Sequence, residues 1–224
     1  MKVFIHTEKI SAYITELRAR DKSIGFVPTM GALHQGHMSL INKAKSENDF
    51  VICSIFVNPT QFNEASDLDK YPRPLDEDIT LLINNNTDIL FWPTASEMYP
   101  PGLDTSVNID LNGLDSIMEG TFRPGHFAGV VQVVKRLLDI VNPHKLYMGQ
   151  KDFQQFSIIS KMIRDLDLSI ENIPCEIIRE SNGLAMSSRN RRLLPTIKEN
   201  ASILFETLSE AKLKINDASP KQIT

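Results

Sequence analysis

Two histidines three residues apart, His34 and His37, stand in a glycine-punctuated segment, Met30-Gly31-Ala32-Leu33-His34-Gln35-Gly36-His37, reached through Pro28 and Thr29 from the apolar run at 24–27. A strand end, a glycine turn and a helix start in that order can hold phosphate: glycine admits close backbone approach, and the N–H groups of a helix N-terminus favour anions. Gly31 and Gly36 have the spacing of a Walker A loop, yet His37 and Met38 stand where its Lys and Ser or Thr would be required. The chemistry open to the segment is therefore donation of two imidazole N–H groups to a polyphosphate, without a hydroxyl for magnesium. A zinc site is disfavoured, because no nearby Cys, Asp or Glu completes a set of three or four ligands. Ordinary half-buried histidines remain the plain alternative.

Three other segments carry comparable chemistry. In Gly149-Gln150-Lys151-Asp152, a lysine at a helix start is electrostatically poor unless an anion binds there, although Asp152 also reads as an N-cap. Gln155, one turn on, faces the same side. Met186-Ser187-Ser188-Arg189-Asn190 gathers two hydroxyls and a fork-shaped cation suited to triphosphate oxygens; a serine N-cap with solvated arginines is the competing reading. Asn58-Pro59-Thr60-Gln61 either presents amides at a strand end or is turn chemistry alone. Residues 119–127, with Gly120 and Gly125, are either a wall of the site or a connection.

The elements that must position these groups follow from hydrophobic period. Ile10, Tyr13, Ile14 and Leu17 predict an amphipathic helix, with 2–6 leading straight into it. Continuous apolar runs predict buried strands at 24–27 and 50–57, and shorter strands at 88–92, 145–148 and 174–179. Helices are expected at 74–86, with Asp76, Glu77 and Asp78 at its positive end, and at 152–166. The segment 127–141 is apolar nearly all round, as a helix between a sheet and a second surface or at a subunit interface would be. A charged helix is expected over 198–214 with Leu204, Leu208 and Ala211 on one face; the tail from Asp217 to Thr224 offers no core. Alternating strands and helices predict an α/β fold, a Rossmann-like doubly wound parallel sheet binding ligands at the carboxyl ends of its strands.

With 224 residues, one substantial domain and a smaller piece are expected. A net charge of −4 argues against a nucleic-acid surface, since Arg189, Arg191 and Arg192 form too short a basic stretch. Cys53 and Cys175 lie in or beside apolar runs and suggest no disulfide framework. No signal peptide is expected, and no apolar stretch approaches the ~18 residues of a membrane span, so a cytoplasmic location is expected.

Taken together, the segments around His34 and His37, Asn58 to Gln61, Phe122-Arg123-Pro124-Gly125-His126-Phe127, Gly149 to Gln155 and Met186 to Asn190 closely resemble the pantoate–beta-alanine ligase (pantothenate synthetase) family. The likeness spans nearly the whole chain, with HIGH-like and KMSKS-like motifs of the wider nucleotidyltransferase superfamily. It implies two steps: pantoate and ATP form an enzyme-bound pantoyl adenylate and pyrophosphate, then β-alanine displaces AMP to give pantothenate. It implies ATP contacts at Met30, Gly31, Ala32, Leu33, His34, Gln35, Gly36, His37, Gly149, Gln150, Lys151, Asp152, Ile178, Met186, Ser187, Ser188 and Arg189. Gln61 and Gln155 would hold pantoate, with Gln61 also near β-alanine. His37 is treated in the family as a proton donor, with His34, Lys151 and Arg189 beside it in catalysis. Magnesium would ride on the ATP phosphates without an all-protein cage. Gln150 departs from a glutamate common in the family. The likeness also implies a homodimer and a division into an ATP- and pantoate-binding domain at 1–175 and the beginning of a smaller α+β C-terminal lid at 176–224. The rival readings are a nucleotidyltransferase that leaves AMP on its product and a nucleotide-binding module without turnover.

Overall fold

The computed structural model describes residues 1–215; the tail from Asp217 to Thr224 lies outside them. Among the described residues six strands form one sheet: β1 (Lys2–Phe4), β2 (Ile24–Thr29), β3 (Phe50–Ile55), β4 (Ile89–Phe91), β5 (Lys145–Gly149) and β6 (Glu171–Cys175), in the order β1-β4-β3-β2-β5-β6. Every pairing is parallel. The helices are α1 (Thr7–Arg18), α2 (Gln35–Glu47), α3 (Ala65–Asp69), α4 (Leu75–Asn84), α5 (Ala95–Met98), α6 (Glu119–Phe122), α7 (His126–Val141), α8 (Phe153–Asp165), α9 (Pro195–Asn200) and α10 (Ile203–Lys214).

Side chains alternate across the central strands and make a core on each face. Phe26 and Ile52 join Ile10 and Ile14 of α1, Val130 and Leu137 of α7 and Ile158 of α8 on one side. Val27, Val51 and Cys53 join Leu40 and Ile41 of α2 and Leu82 of α4 on the other. Strands covered on both faces need apolar residues at every position, which is why β2 and β3 read as continuous runs. No helix of the described residues is long and apolar enough to cross a membrane.

Four expectations are corrected. The segment at 2–6 is not simply a lead into α1, because Lys2–Phe4 pairs with β4 as an edge strand; three residues are too few for a readable period. The last strand is Glu171–Cys175, not 174–179: Pro174 lies inside it, tolerated because β6 is an edge, and Ile177 and Ile178 leave the sheet. The helix expected over 198–214 is two helices, since the Asn182 side chain donates to the carbonyls of Lys198 (3.0 Å) and Glu199 (3.5 Å) and so caps α9. Leu204 and Leu208 of α10 are each 67% exposed, so that face packs on nothing described. Finally, α7 has its apolar circumference covered within this chain, by the sheet, α1, α8 and the turn Pro59–Gln61. It leaves no apolar face for a subunit interface.

What opens the site is a parting of the sheet. β2 pairs with β5 only at Gly25↔Lys145 and Phe26↔Leu146, then continues along β3 to Thr29↔Ile55 while β5 continues along β6 to Gly149↔Cys175. Pro28, with no N–H to give to a ladder, sits in the diverging stretch. This is the switch point of a doubly wound sheet, at the carboxyl ends of its strands.

The loop that follows β2 is held from beneath. Thr29 donates to the Ser54 carbonyl (2.7 Å) and accepts from Gly31 N–H (3.1 Å). The Asp78 carboxylate, 1% exposed, accepts from Ala32 N–H (2.8 Å) and Leu33 N–H (2.7 Å). Asp78 was expected to serve the α4 dipole; its oxygens instead hold this loop. Asp78→Asn replaces one acceptor oxygen with a donor facing a backbone N–H, and should lower stability by about 1–3 kcal/mol in urea unfolding. An unchanged midpoint would remove the clamp from the account.

Candidate active site

The four chemistry-bearing segments converge. A cleft of about 240 Å³ at the parting of β2 and β5 is lined by Met30, His34, Gly36 and His37, by Gln61, by Gly149, Lys151, Asp152 and Gln155, and by Ile178, Met186, Ser187, Ser188 and Arg189. Five of the expected contacts do not line it. Gly31, Ala32 and Leu33 are buried beneath the loop, and Gln35 and Gln150 are exposed away from the cleft.

The two glycines of the loop serve the protein itself. Gly31 has φ +79°, and a Cβ there would stand 2.9 Å from Asp78 Oδ2; a Cβ on Gly36 would stand 2.9 Å from His34 Nδ1. The space at Gly36 lets His34 fold back as the N-cap of α2. Its Nδ1 accepts from Gly36 N–H (3.1 Å), while His34 N–H donates to His37 Nδ1 (3.3 Å), a reciprocal capping box made by two imidazoles. With both Nδ1 atoms accepting, each neutral ring carries its proton on Nε2. Burial pushes the His34 pKa down to about 4, helped by Lys151 and Arg191, and pushes His37 down to about 3, helped by His34 and Lys151. The ring centroids are 4.0 Å apart. At neutral pH the pair is thus two uncharged donors.

The cations of the cleft are all engaged. Lys151 pairs with Asp152 at 2.7 Å, and Asp152, although at the N-cap of α8, makes no cap hydrogen bond. Arg189 reaches Asp67 of α3 at 3.1 Å, and Arg192 joins the same carboxylate at 2.9 Å. The two serines differ. Ser187 caps the turn Ser188–Arg192 by accepting from Arg189 N–H (3.3 Å), whereas Ser188 is buried and donates to the Ala32 carbonyl (2.9 Å). The hydroxyl of Ser188 ties the segment after β6 to the histidine loop.

Gln61 also lines the cleft; its Nε2 donates to Met30 Sδ (3.2 Å) and its Oε1 accepts from Asn58 (3.3 Å). Asn58 is fully buried, accepts from the Tyr99 hydroxyl (2.9 Å) and donates to the Gly129 carbonyl (3.3 Å), so it is a hub that orients Gln61. Of two adjacent glutamines, Gln154 is buried and holds the 114–119 loop through Glu119 N–H and the carbonyls of Leu114 and Ile117. Gln155 faces the cleft.

Two lining residues were read in sequence as part of a glycine-punctuated loop and of the family resemblance, with no role assigned to either. His126 donates from Nδ1 to the Gln61 carbonyl (2.8 Å) and accepts at Nε2 from Arg123 (3.1 Å); burial lowers its pKa. Arg123 also pairs with Glu119 at 2.6 Å. The signal available was a cation and a histidine bracketing Pro124-Gly125 before the most buried helix.

Residues 2–224 match the family model described as pantoate-beta-alanine ligase. The chain is 47% identical to pantothenate synthetase of Thermotoga petrophila, across 95% of this chain and 75% of that one, and 50% identical to that of Bacteroides thetaiotaomicron, across 95% and 74%. Its fold matches pantothenate synthetase of Thermus thermophilus with a TM-score of 0.90 at 40% identity, over 96% of this chain and 76% of that one. It also matches pantoate-beta-alanine ligase of Francisella tularensis, complexed with beta-gamma ATP and beta-alanine, with a TM-score of 0.87 at 44% identity over 93% and 79%.

The chain belongs to the pantoate–beta-alanine ligase family. It is an enzyme that condenses pantoate with β-alanine. In this ligase the histidine pair makes a direct prediction: in the absence of substrates, ¹⁵N-detected imidazole titrations should show His34 and His37 neutral, with protons on Nε2, down to about pH 5 and titrating near 4 and 3. Because both folded values lie below the ordinary 6.5, the neutral rings stabilise the fold above that pH, and this contribution is lost as pH falls through the two values. Titration of either ring near 6.5 would contradict the burial assigned to it.

Proposed function

We propose that the cleft carries the condensation through an acyl adenylate. A pantoate carboxylate oxygen attacks the α-phosphorus of ATP, the bond to pyrophosphate breaks, and pyrophosphate leaves. The neutral amine of β-alanine then attacks the acyl carbon, the acyl–oxygen bond to AMP breaks, and the amine gives up its proton. The observation that carries this reading is the gathering of donors in one cleft: two neutral imidazoles, an ammonium, a guanidinium and the uncharged carboxamides of Gln61 and Gln155. The Francisella relative complexed with ATP and β-alanine supports the same ligands here.

Charge develops on phosphoryl oxygens during adenylation, and preorganised donors aimed there lower the barrier most. His37 and His34 through Nε2–H, Lys151, Ser187 and Arg189 are assigned to ATP, Arg189 exchanging Asp67 for a phosphate oxygen. Met30, Gly36, Gly149, Asp152 and Met186 line the nucleotide. The Ile178 carbonyl already accepts from Met186 N–H (2.9 Å), which leaves its own N–H for an acceptor nitrogen of adenine. Gly31, Ala32, Leu33 and Ser188 act through the loop they hold in shape. A carboxamide orients the pantoate carboxylate without the charge pairing that would blunt its nucleophilicity; Gln61 and Gln155 have that role. Magnesium enters on the ATP phosphates and supplies charge neutralisation there. The donor set fits this division, since cations and N–H groups suit phosphate.

We assign 1–175 to the nucleotide and pantoate unit and the described residues after it, 176–215, to a segment that covers the cleft. We also propose the homodimer that the family resemblance implies.

The test is pyrophosphate exchange. Exchange that requires pantoate, followed by stoichiometric AMP release on adding β-alanine, is expected; exchange independent of pantoate would overturn the reading. His37→Ala should slow exchange by roughly 10² to 10³ with pantoate affinity little changed. Gln61→Ala should instead raise the KM for pantoate, and an unaltered KM would strike Gln61 from that role.

A further inference from the structure

The contacts along the cleft run in a fixed order. From the His34–His37 pair the wall passes to Met30, whose Sδ accepts from the Gln61 side chain; the Gln61 carbonyl accepts from His126 Nδ1, and His126 Nε2 accepts from Arg123. Asn63 adds a second tie from the Gln61 loop to the Pro124 carbonyl at 2.5 Å. The Arg123 guanidinium is therefore separated from the Gln61 backbone by the width of one imidazole. Among the described residues only its Nη1 is engaged, by Glu119 Oε1 at 2.6 Å and by His126; Nε and Nη2 have no hydrogen-bond partner. Arg123 lines the same cleft and its side chain is 26% exposed.

On the adenylate reading, on which this rests, the acyl carbon lies at Gln61 between the phosphate on one hand and the incoming amine on the other. β-Alanine carries its carboxylate two methylenes from that amine, ionised at neutral pH. We propose that Arg123 is the residue that reads this carboxylate, through its free Nε and Nη2, and so selects an ω-amino acid over other amines. His126 is the strut that fixes the separation between this cation and Gln61. A guanidinium presents two parallel N–H groups that match a carboxylate, which a lysine does not.

The experiment compares β-alanine with β-alaninamide, which has the same amine and no charge at the far end, in wild type, Arg123→Gln and Arg123→Lys, with pantoate-dependent pyrophosphate exchange measured alongside. The KM for β-alanine should rise by about 10- to 100-fold in Arg123→Gln, the loss expected of one charge-assisted hydrogen-bonded pair. Preference for β-alanine over its amide should fall by a similar factor, while exchange and the KM for pantoate stay within about twofold. Arg123→Lys, which retains a cation for Glu119, should show a smaller rise; it gives the same reading should Arg123→Gln fail to fold. An unchanged preference for the acid over the amide, or a loss of exchange equal to the loss of condensation, would overturn the assignment. Absence of pantoate-dependent exchange in wild type would instead sink the adenylate reading itself.

Discussion

The fold of the site depends on one buried carboxylate. In phosphate-binding loops of the Walker type, successive backbone N–H groups are left free for the ligand. Here the corresponding groups of Ala32 and Leu33 are already bound by Asp78. The loop is therefore complete before any ligand arrives, with Gly31 and Ala32 (φ +50°) both held in left-handed backbone that the clamp sustains. On the proposed reading, recognition of phosphate passes from backbone to side chains, which accounts for histidines, a lysine and an arginine gathering around a turn whose spacing imitates a Walker loop. Ser188 extends the clamp by bonding the Ala32 carbonyl, so a segment distant in sequence is registered on the same loop.

The second constraint is the divergence of β2 from β5. Each strand keeps its outer neighbour to its last residue, and only the pair between them opens. The gap is framed by two hydrogen-bonded half-sheets, and residues are placed at each of its two lips. The histidine loop and the Gln61 turn belong to the β2–β3 half; Gly149, Lys151 and Gln155 belong to the β5–β6 half. On the proposed adenylate route a carboxylate meets a phosphate and then an amine meets the same carbon, a sequence that gains from groups held in place on the two lips.

Much of this was legible in sequence, and the misses have physical causes. The strands of the centre and the long helices were readable because burial on both faces or on one stripe imposes a period. The convergence of the HIGH-like, Asn58–Gln61, Gly149–Gln155 and Ser187–Arg189 segments was readable from the rule that sites form at strand ends. What sequence could not show was which polar group is bound to which. Asp78 looked like one of three helix-dipole acids, and Gln154 and Gln155 look alike, yet one of the two is buried on carbonyls and the other lines the cleft. Gly31 and Gly36 looked like glycines making room for a ligand; they make room for Asp78 and His34. Pairing of this kind is long-range, Asp78 lying 46 residues from Ala32 and Ser188 156 from it.

The charge arrangement that results bears on selectivity. Each of three cations lining the cleft already has a carboxylate from the chain: Lys151 has Asp152, Arg189 has Asp67 and Arg123 has Glu119. The histidines add donors but no charge, because burial beside Lys151 keeps them neutral. A lone anion at Lys151 or Arg189 gains little, since it must displace or share an existing partner, whereas Arg123 keeps Nε and Nη2 free. A triphosphate offers several oxygens at once and can share Lys151 and Arg189 while meeting both Nε2–H groups. As negative charge grows on those oxygens, a neutral donor strengthens its hydrogen bond without having held the ground state by a full ionic attraction, and interactions that favour the transition state over the ground state are the ones that raise turnover. On the proposed reading, the partnered cations and the neutral imidazoles are thus two expressions of one restraint, a site that keeps its attraction low until the polyphosphate and its developing charge are both in place.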